Sequence, residues 1–148
     1  MKNMTEAELA YLAGIIDGEG NIAIHTRAAG SQGSVAQEYK NVMKVANTDL
    51  RLLEWIKEKT GAGSIYADRR RGNRRQCYQW FCPSVQAAKI LRLVYPYLVI
   101  KKEQAELVFA FRETYDKHRY CRGGTPLAVV AVRKRHFEDL KALHHAEA

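Results

Sequence analysis

The chain has 148 residues, of which 47% are hydrophobic and 27% are charged, so it is long enough for one domain with its own core. No apolar run approaches the roughly 20 residues of a membrane-spanning helix, and the N-terminus lacks the basic and apolar regions of a signal peptide. We therefore expect one domain over residues 1–148, without a membrane partner, in an intracellular protein of the cytoplasm, nucleoid or an organelle that is not secreted. The net charge of +8 favours a polyanionic partner but does not separate DNA from RNA or from an acidic surface.

The first segment has the pattern of a capped amphipathic helix. Thr5 and Glu8 have the spacing of a capping box, which predicts a helix over about residues 6–17. Gly18 and Gly20 would end it. The apolar residues of this helix recur with the helical period and form one buried stripe: Leu9, Leu12, Ala13 and Ile16.

The predicted order of elements is α-β-β-α-β-β-α-α-α, which indicates an α+β domain: an αββαββα core with helices on one face of a curved antiparallel sheet, plus C-terminal helices. Alternating apolar and polar residues predict strands over residues 21–27 and 38–45, which form a hairpin with one basic face. The later predicted elements are a helix from Thr48-Asp49 to Gly61, strands over 64–68 and 76–81 joined by a Gly72-Asn73 turn, a helix capped by Ser84 and ending near Tyr95-Pro96, a helix over 101–115, and a helix from the N-cap Thr125 and Pro126 to about His144.

The cysteines give no sign of a cross-linked or metal-stabilised fold. Cys77, Cys82 and Cys121 are odd in number and lack C-x-x-C spacing. We expect free thiols rather than a disulfide framework or a zinc site.

The first helix has a second face made of small residues. Ala10, Gly14 and Gly18 are spaced by four, with Ala13 and Asp17 alongside. Small residues at this spacing allow another helix backbone to approach closely. This face is therefore a candidate dimer interface, and the interface residues expected on it are Ala10, Ala13, Gly14 and Asp17.

Glu19 lies at the end of the same helix. A symmetric partner helix would bring two Glu19 carboxylates close together, and their repulsion would have to be relieved. Divalent cations relieve it, and an oxygen-rich site with open positions suits Mg²⁺, which keeps waters and phosphate oxygens as further ligands.

The nine residues from Leu12 to Gly20, LAGIIDGEG, closely resemble the LAGLIDADG signature of a homing endonuclease family. The tract PYLVIKKEQA over residues 96–105 is similar to the family's PYL-x-x-K-x-x-QA segment, whose lysine points into the active site and corresponds to Lys101. One position departs from the family pattern, because Glu19 stands where an aspartate is usual.

The resemblance implies a site-specific, intron-encoded homing endonuclease that hydrolyses both strands of a long pseudo-palindromic target. It implies Mg²⁺ held by Glu19 and the Gly18 carbonyl, with Mn²⁺ or Ca²⁺ able to substitute in binding, and no small-molecule cofactor. Asn47 would position solvent or merely cap the next helix, and Lys101 and Arg51 would stabilise negative charge. Because only one motif copy is present, the nuclease is expected to be a homodimer on double-stranded DNA. The alternatives are an intron RNA maturase and a non-cleaving DNA-binding regulator.

An antiparallel sheet with an exposed basic face can lie in the major groove as a DNA-binding saddle. The phase of the second hairpin is open, since Cys77, Gln79 and Phe81 form the alternative face of its last strand. We expect mainly phosphate contacts from Arg71 and Arg74. The candidate DNA-binding residues are Asn21, His25, Arg27, Glu38, Lys40, Lys44, Tyr66, Asp68, Arg70, Arg71, Arg74, Gln76 and Tyr78.

Overall fold

The computed structural model describes residues 3–27, 37–68, 75–117 and 124–146. The order of elements in these ranges confirms the predicted α+β architecture, with a 3-10 turn at Tyr95–Tyr97. The predicted Gly72-Asn73 turn and Cys121 lie outside the described residues. The elements are α1 (Glu6–Glu19), β1 (Gly20–Arg27), β2 (Glu38–Asn47), α2 (Leu50–Thr60), β3 (Ser64–Asp68), β4 (Cys77–Pro83), α3 (Ser84–Val94), α4 (Lys102–Lys117) and α5 (Leu127–Ala146).

Helix α1 begins as its sequence predicts but ends later. The Thr5 hydroxyl accepts from the Glu8 N–H, and the Glu8 carboxylate accepts from the Thr5 N–H, which confirms the capping box. The helix continues through Gly18 and ends at Glu19, and the N–H of the cap residue Gly20 donates to the Ile16 carbonyl. A Cβ at position 20 would lie 2.6 Å from that carbonyl oxygen, so only glycine fits at this close turn from α1 into β1.

The four strands form an antiparallel sheet in the order β1-β2-β4-β3. Its inner face packs against the helices and carries Ile22, Met43, Val45 and Trp80, which are all fully buried. The Trp80 indole N–H donates to the Ala62 carbonyl at 3.0 Å. The opposite face is called the outer face here, and along the first two strands it carries exposed polar side chains such as Asn21, His25 and Lys40 beside the buried Val42.

Three predicted helix starts are shifted, and for α4 the shift is one residue, from 101 to Lys102. Ser84 is not an N-cap, because β4 runs on to Pro83, which takes that position, and Ser84 becomes the first helical residue at φ +56. The Ser84 carbonyl instead accepts from the buried Asn41 side chain at 2.9 Å. Helix α5 begins at Leu127, one residue later than expected, and the Pro126 carbonyl accepts from its first turn.

Cys77 and Cys82 are buried free thiols, as predicted. Burial raises the pKa of the Cys82 thiol to about 12, so it stays protonated and unreactive at neutral pH. No helix in the described ranges has both the length and the apolar character to cross a membrane.

Candidate active site and nucleic-acid interface

Glu19 is exposed at the C-terminal end of α1 and is held by a residue from the end of β2. The Asn47 side-chain N–H donates to Glu19 Oε2 at 2.6 Å, and Asn47 Oδ1 accepts from the Asp49 N–H at 2.7 Å. Asn47 therefore helps shape the entry to α2, as one of the two alternatives expected, and it also orients the Glu19 carboxylate. Its role in positioning solvent stays a prediction.

Lys101 lies at the same end of α1. Its Nζ donates to the Asp17 carbonyl at 2.7 Å, two residues before Glu19 in the chain. The last carbonyls of a helix lack intrahelical partners and carry partial negative charge, so this end attracts a cation. The structure thus brings Lys101, Glu19 and Asn47 to one place from three separate segments.

Arg51 is not part of this cluster. Its guanidinium donates to both carboxylate oxygens of Asp49, at 3.0 Å from Nε to Oδ1 and 2.6 Å from Nη2 to Oδ2, and its side chain is 88% exposed. The hydrogen bond from Arg51 is the main cause that lowers the pKa of Asp49 to about 2. The catalytic role of Arg51 stays a prediction, and it would require the side chain to leave Asp49.

One chain supplies few metal ligands. The described residues contain no group of three or more His, Cys, Asp or Glu side chains arranged to hold a metal ion. The donors at the end of α1 are the Glu19 carboxylate and backbone carbonyls of the last turn, such as that of Gly18. Exposed hard oxygen donors in small number fit Mg²⁺ or Ca²⁺, which complete their shells with waters and outside oxygens.

The small-residue face of α1 is exposed, but one residue assigned to it, Ala13, is not part of it. Ala10, Gly14 and Gly18 are exposed, and a Cβ built on Gly14 or Gly18 meets no atom within 4 Å. Ala13 is fully buried in the chain's own core, so its assignment to the interface was wrong. Asp17 is half-buried, and its carboxylate accepts from the backbone of residues 99–101.

The first hairpin presents the predicted polar residues on the outer face. Asn21 pairs with Lys44, His25 with Lys40, and Arg27 with Glu38, so each pair shares one face. Burial, followed by the charges of Lys44 and Lys40, lowers the pKa of His25. All six side chains stand opposite the buried Ile22 and Ile24.

The second hairpin has the alternative phase on β4. Ser64 pairs with Phe81 and Tyr66 with Gln79, so Gln79 and Phe81 share the outer face with Tyr66. Tyr78 was placed on the wrong face. Trp80 is buried on the inner face, and Tyr78, two residues earlier in the same strand, shares that face and packs against the core. The bulk of Trp80 was the available signal, since the largest apolar side chain of a half-buried strand belongs inside.

Gln76 does not belong to the outer face either. It precedes β4, and its side-chain N–H groups donate to the carbonyls of Asp68, at 2.7 Å, and Cys77, at 2.8 Å, which closes the end of the hairpin. Asp68 itself shares the face of Tyr66. The candidate contacts Arg70, Arg71 and Arg74 lie outside the described residues.

A sequence model for the family described as LAGLIDADG endonuclease matches residues 12–111 of the chain. The chain belongs to this family. The matched range contains Glu19, Asn47, Arg51 and Lys101 and the whole sheet, whereas α5 lies beyond it. A search of curated proteins found no match.

The fold of this LAGLIDADG chain is similar to those of solved homing endonucleases. I-CvuI in complex with the I-CreI target and Mg has a TM-score of 0.77 at 18% identity, covering 93% of this chain and 82% of that one. The archaeal intron-encoded I-Vdi141I complexed with DNA has a TM-score of 0.73 at 16% identity, covering 93% and 84%. I-SmaMI bound to cleaved DNA has a TM-score of 0.63 at 22% identity, covering 95% of this chain but only 43% of that one.

Proposed function

We propose that the chain is a site-specific homing endonuclease that acts as a homodimer and makes metal-dependent double-strand breaks in DNA. The observation that carries this proposal is the cluster at the end of α1. There Glu19 is oriented by Asn47, and the Lys101 ammonium donates to the carbonyl of Asp17, two residues before Glu19, on the helix whose small-residue face is open.

The open face of α1 supports a dimer. Exposed glycines in a helix are unfavourable by roughly 1 kcal/mol each relative to alanine, so Gly14 and Gly18 need a reason to be there. Close approach of a second α1 would supply it, and two-fold symmetry would place the two Glu19 carboxylates near each other. One chain, folded as a single domain over residues 1–148, would then provide half of the reactive centre.

The metal would be held by Glu19 and by the Gly18 carbonyl, with Mg²⁺ as the working ion and Mn²⁺ or Ca²⁺ able to replace it in binding. When bound, the ion would act as a Lewis acid toward the phosphodiester. Asn47 fixes the direction of the Glu19 carboxylate. Lys101 supplies positive charge where negative charge develops on the phosphate, and Arg51 would add to it after leaving Asp49.

The outer face of the sheet is the proposed DNA-binding surface. It combines donors and acceptors on the first hairpin with Tyr66, Asp68, Gln79 and Phe81 on the second, a mixture suited to base edges. The I-CvuI and I-Vdi141I structures contain DNA, which is consistent with this surface. The arginine-rich segment 69–75 would add phosphate contacts.

A cleavage selection from a randomised double-stranded DNA library with Mg²⁺ tests the proposal and reports the target. The variants are Glu19→Gln and, as a matched control, Glu54→Gln, which changes an exposed glutamate on α2. Wild type and Glu54→Gln should yield linear product from the same site, whereas Glu19→Gln should lose more than about a hundredfold in rate and still bind that site in Ca²⁺.

Undiminished Mg²⁺-dependent cleavage by Glu19→Gln would refute the assignment of the reactive centre. Tight binding of DNA by the wild type without any cleavage would favour a non-cleaving regulator. Binding of an intron RNA without cutting of DNA would favour a maturase.

A further inference from the structure

The Asp17 carboxylate accepts three backbone hydrogen bonds from the segment that leads into α4. Its Oδ2 accepts from the Val99 N–H at 2.8 Å, and its Oδ1 accepts from the N–H groups of Ile100, at 3.3 Å, and Lys101, at 3.0 Å. In return, the Lys101 Nζ donates to the Asp17 carbonyl at 2.7 Å. We call this two-way set of hydrogen bonds the Asp17 clasp.

The clasp joins the C-terminal end of α1 to the N-terminal end of α4. The Lys101 carbonyl accepts from the Ala105 N–H at 3.0 Å, so Lys101 stands at the entry of α4, where backbone N–H groups lack helical partners. A carboxylate at a helix N-terminus and an ammonium at a helix C-terminus are each favoured by the helix dipoles. The two ends therefore hold each other by complementary charge as well as by hydrogen bonds.

The segment lies between Leu98, which is buried in the core, and the start of α4 at Lys102, and its own side chains are mostly exposed. Val99 and Ile100 are 81% and 62% exposed, so their side chains contribute little packing within the chain. A lysine side chain also has four rotatable bonds and loses considerable entropy when it is fixed. The backbone of residues 99–101, and with it the starting point of the Lys101 side chain, depends on the Asp17 carboxylate.

We propose that Asp17 is a positioning residue for the cleavage reaction, acting through Lys101. The nine-residue motif then carries two linked parts: Glu19, and, two residues earlier, the anchor that fixes the cationic partner of Glu19. This inference rests on the proposed function. Misplacement of a reacting group by about 1 Å can cost a hundredfold in rate. Loss of the Asp17 carboxylate should therefore lower the cleavage rate rather than the affinity for DNA.

The test is a double-mutant cycle with Asp17→Asn and Lys101→Ala. Single-turnover cleavage is measured with Mg²⁺ on the selected site at saturating protein, and DNA affinity is measured with Ca²⁺. Asp17→Asn should lower the cleavage rate by about 10- to 100-fold and change the affinity less than about threefold. In the Lys101→Ala background, the same substitution should change the rate less than about twofold, because the residue through which it acts is gone. Glu54→Gln serves as the control.

A multiplicative effect of the two substitutions, or an Asp17→Asn protein that is less stable but cleaves at the wild-type rate when folded, would overturn the proposal. If Asp17→Asn does not fold, hydrogen exchange on the wild type decides: slow exchange of the Val99 and Lys101 amides supports the clasp, and fast exchange refutes it. A wild-type protein that does not cleave DNA would instead refute the proposed function itself, whereas a cleaving wild type with independent effects refutes only this inference.

Discussion

Replacement of Gly14 by leucine separates the fold of one chain from the proposed assembly. Gly14 is exposed on α1, and a Cβ there meets no atom within 4 Å. Because glycine is the poorest helix former after proline, Gly14→Leu should leave the fold of the single chain intact and stabilise the isolated helix by about 0.5–1 kcal/mol.

The same leucine should disrupt a close helix pair. Overpacking by one large side chain costs about 1–3 kcal/mol, and two-fold symmetry places the substitution on both sides of the interface, for a total of about 2–6 kcal/mol. Since each 1.4 kcal/mol is a factor of ten, the dimer dissociation constant should rise by about thirtyfold to about twenty-thousandfold.

The assay is analytical ultracentrifugation over a range of concentrations, combined with circular dichroism and DNA cleavage with Mg²⁺. Ala131→Leu, at an exposed position of α5, is the matched control and should remain dimeric and active. A Gly14→Leu protein that dimerises and cuts DNA like the control would refute the close-packing argument, as would a wild type that is monomeric with and without DNA.

Three further predictions, which use four substitutions, test local features of the structure. Gly20→Ala should lower the melting temperature in a thermal scan, by roughly 2–8 °C, because its Cβ would lie 2.6 Å from the Ile16 carbonyl oxygen; an unchanged value would contradict the tight exit from α1. Tyr66→Ala should weaken DNA binding at unchanged stability, whereas Tyr78→Ala should lower stability, and the reverse pattern would restore the rejected strand phase. Burial and neighbouring lysines lower the pKa of His25 below 6.5 in the free protein, and DNA phosphates would raise it. Binding then takes up a proton, so affinity should increase as the pH falls from the raised pKa of His25 in the complex towards its lowered pKa in the free protein, and a His25→Gln protein with the same pH dependence would exclude this contact.

The sequence predicts what is decided locally. The capping box of α1 involves residues three apart, and the apolar stripe repeats within one helix, so both are visible in the order of residues. Gly61 likewise ends α2 at φ +64, as expected of a glycine in the left-handed region. The motif also predicted that Glu19 lies at the end of α1, and this prediction needed no information about the sheet.

Contacts between distant segments were less accessible. The hydrogen bond from Asn47 to Glu19 joins residues 28 positions apart, and the Asp17 clasp joins Asp17 to Lys101, 84 positions away. No local sequence pattern predicts contacts over such separations. Arg51 was expected near the reactive centre, but a carboxylate two residues away in sequence pairs with it first. The phase of β4 depends on whether Trp80 lies in the core, since a shift of one residue exchanges the two faces of a strand.

Two chains are proposed to build one reactive centre, and a dimer with one altered chain distinguishes this arrangement from two independent centres. Wild-type and Glu19→Gln chains carrying different affinity tags are co-expressed, and the mixed dimer is isolated and assayed on the selected site with Mg²⁺. If both Glu19 residues are required together, the mixed dimer will bind the site but form both nicked and linear product at less than about one hundredth of the wild-type rate. Nicking of one strand at close to the wild-type rate would show that each chain cleaves its own strand and would contradict the shared centre.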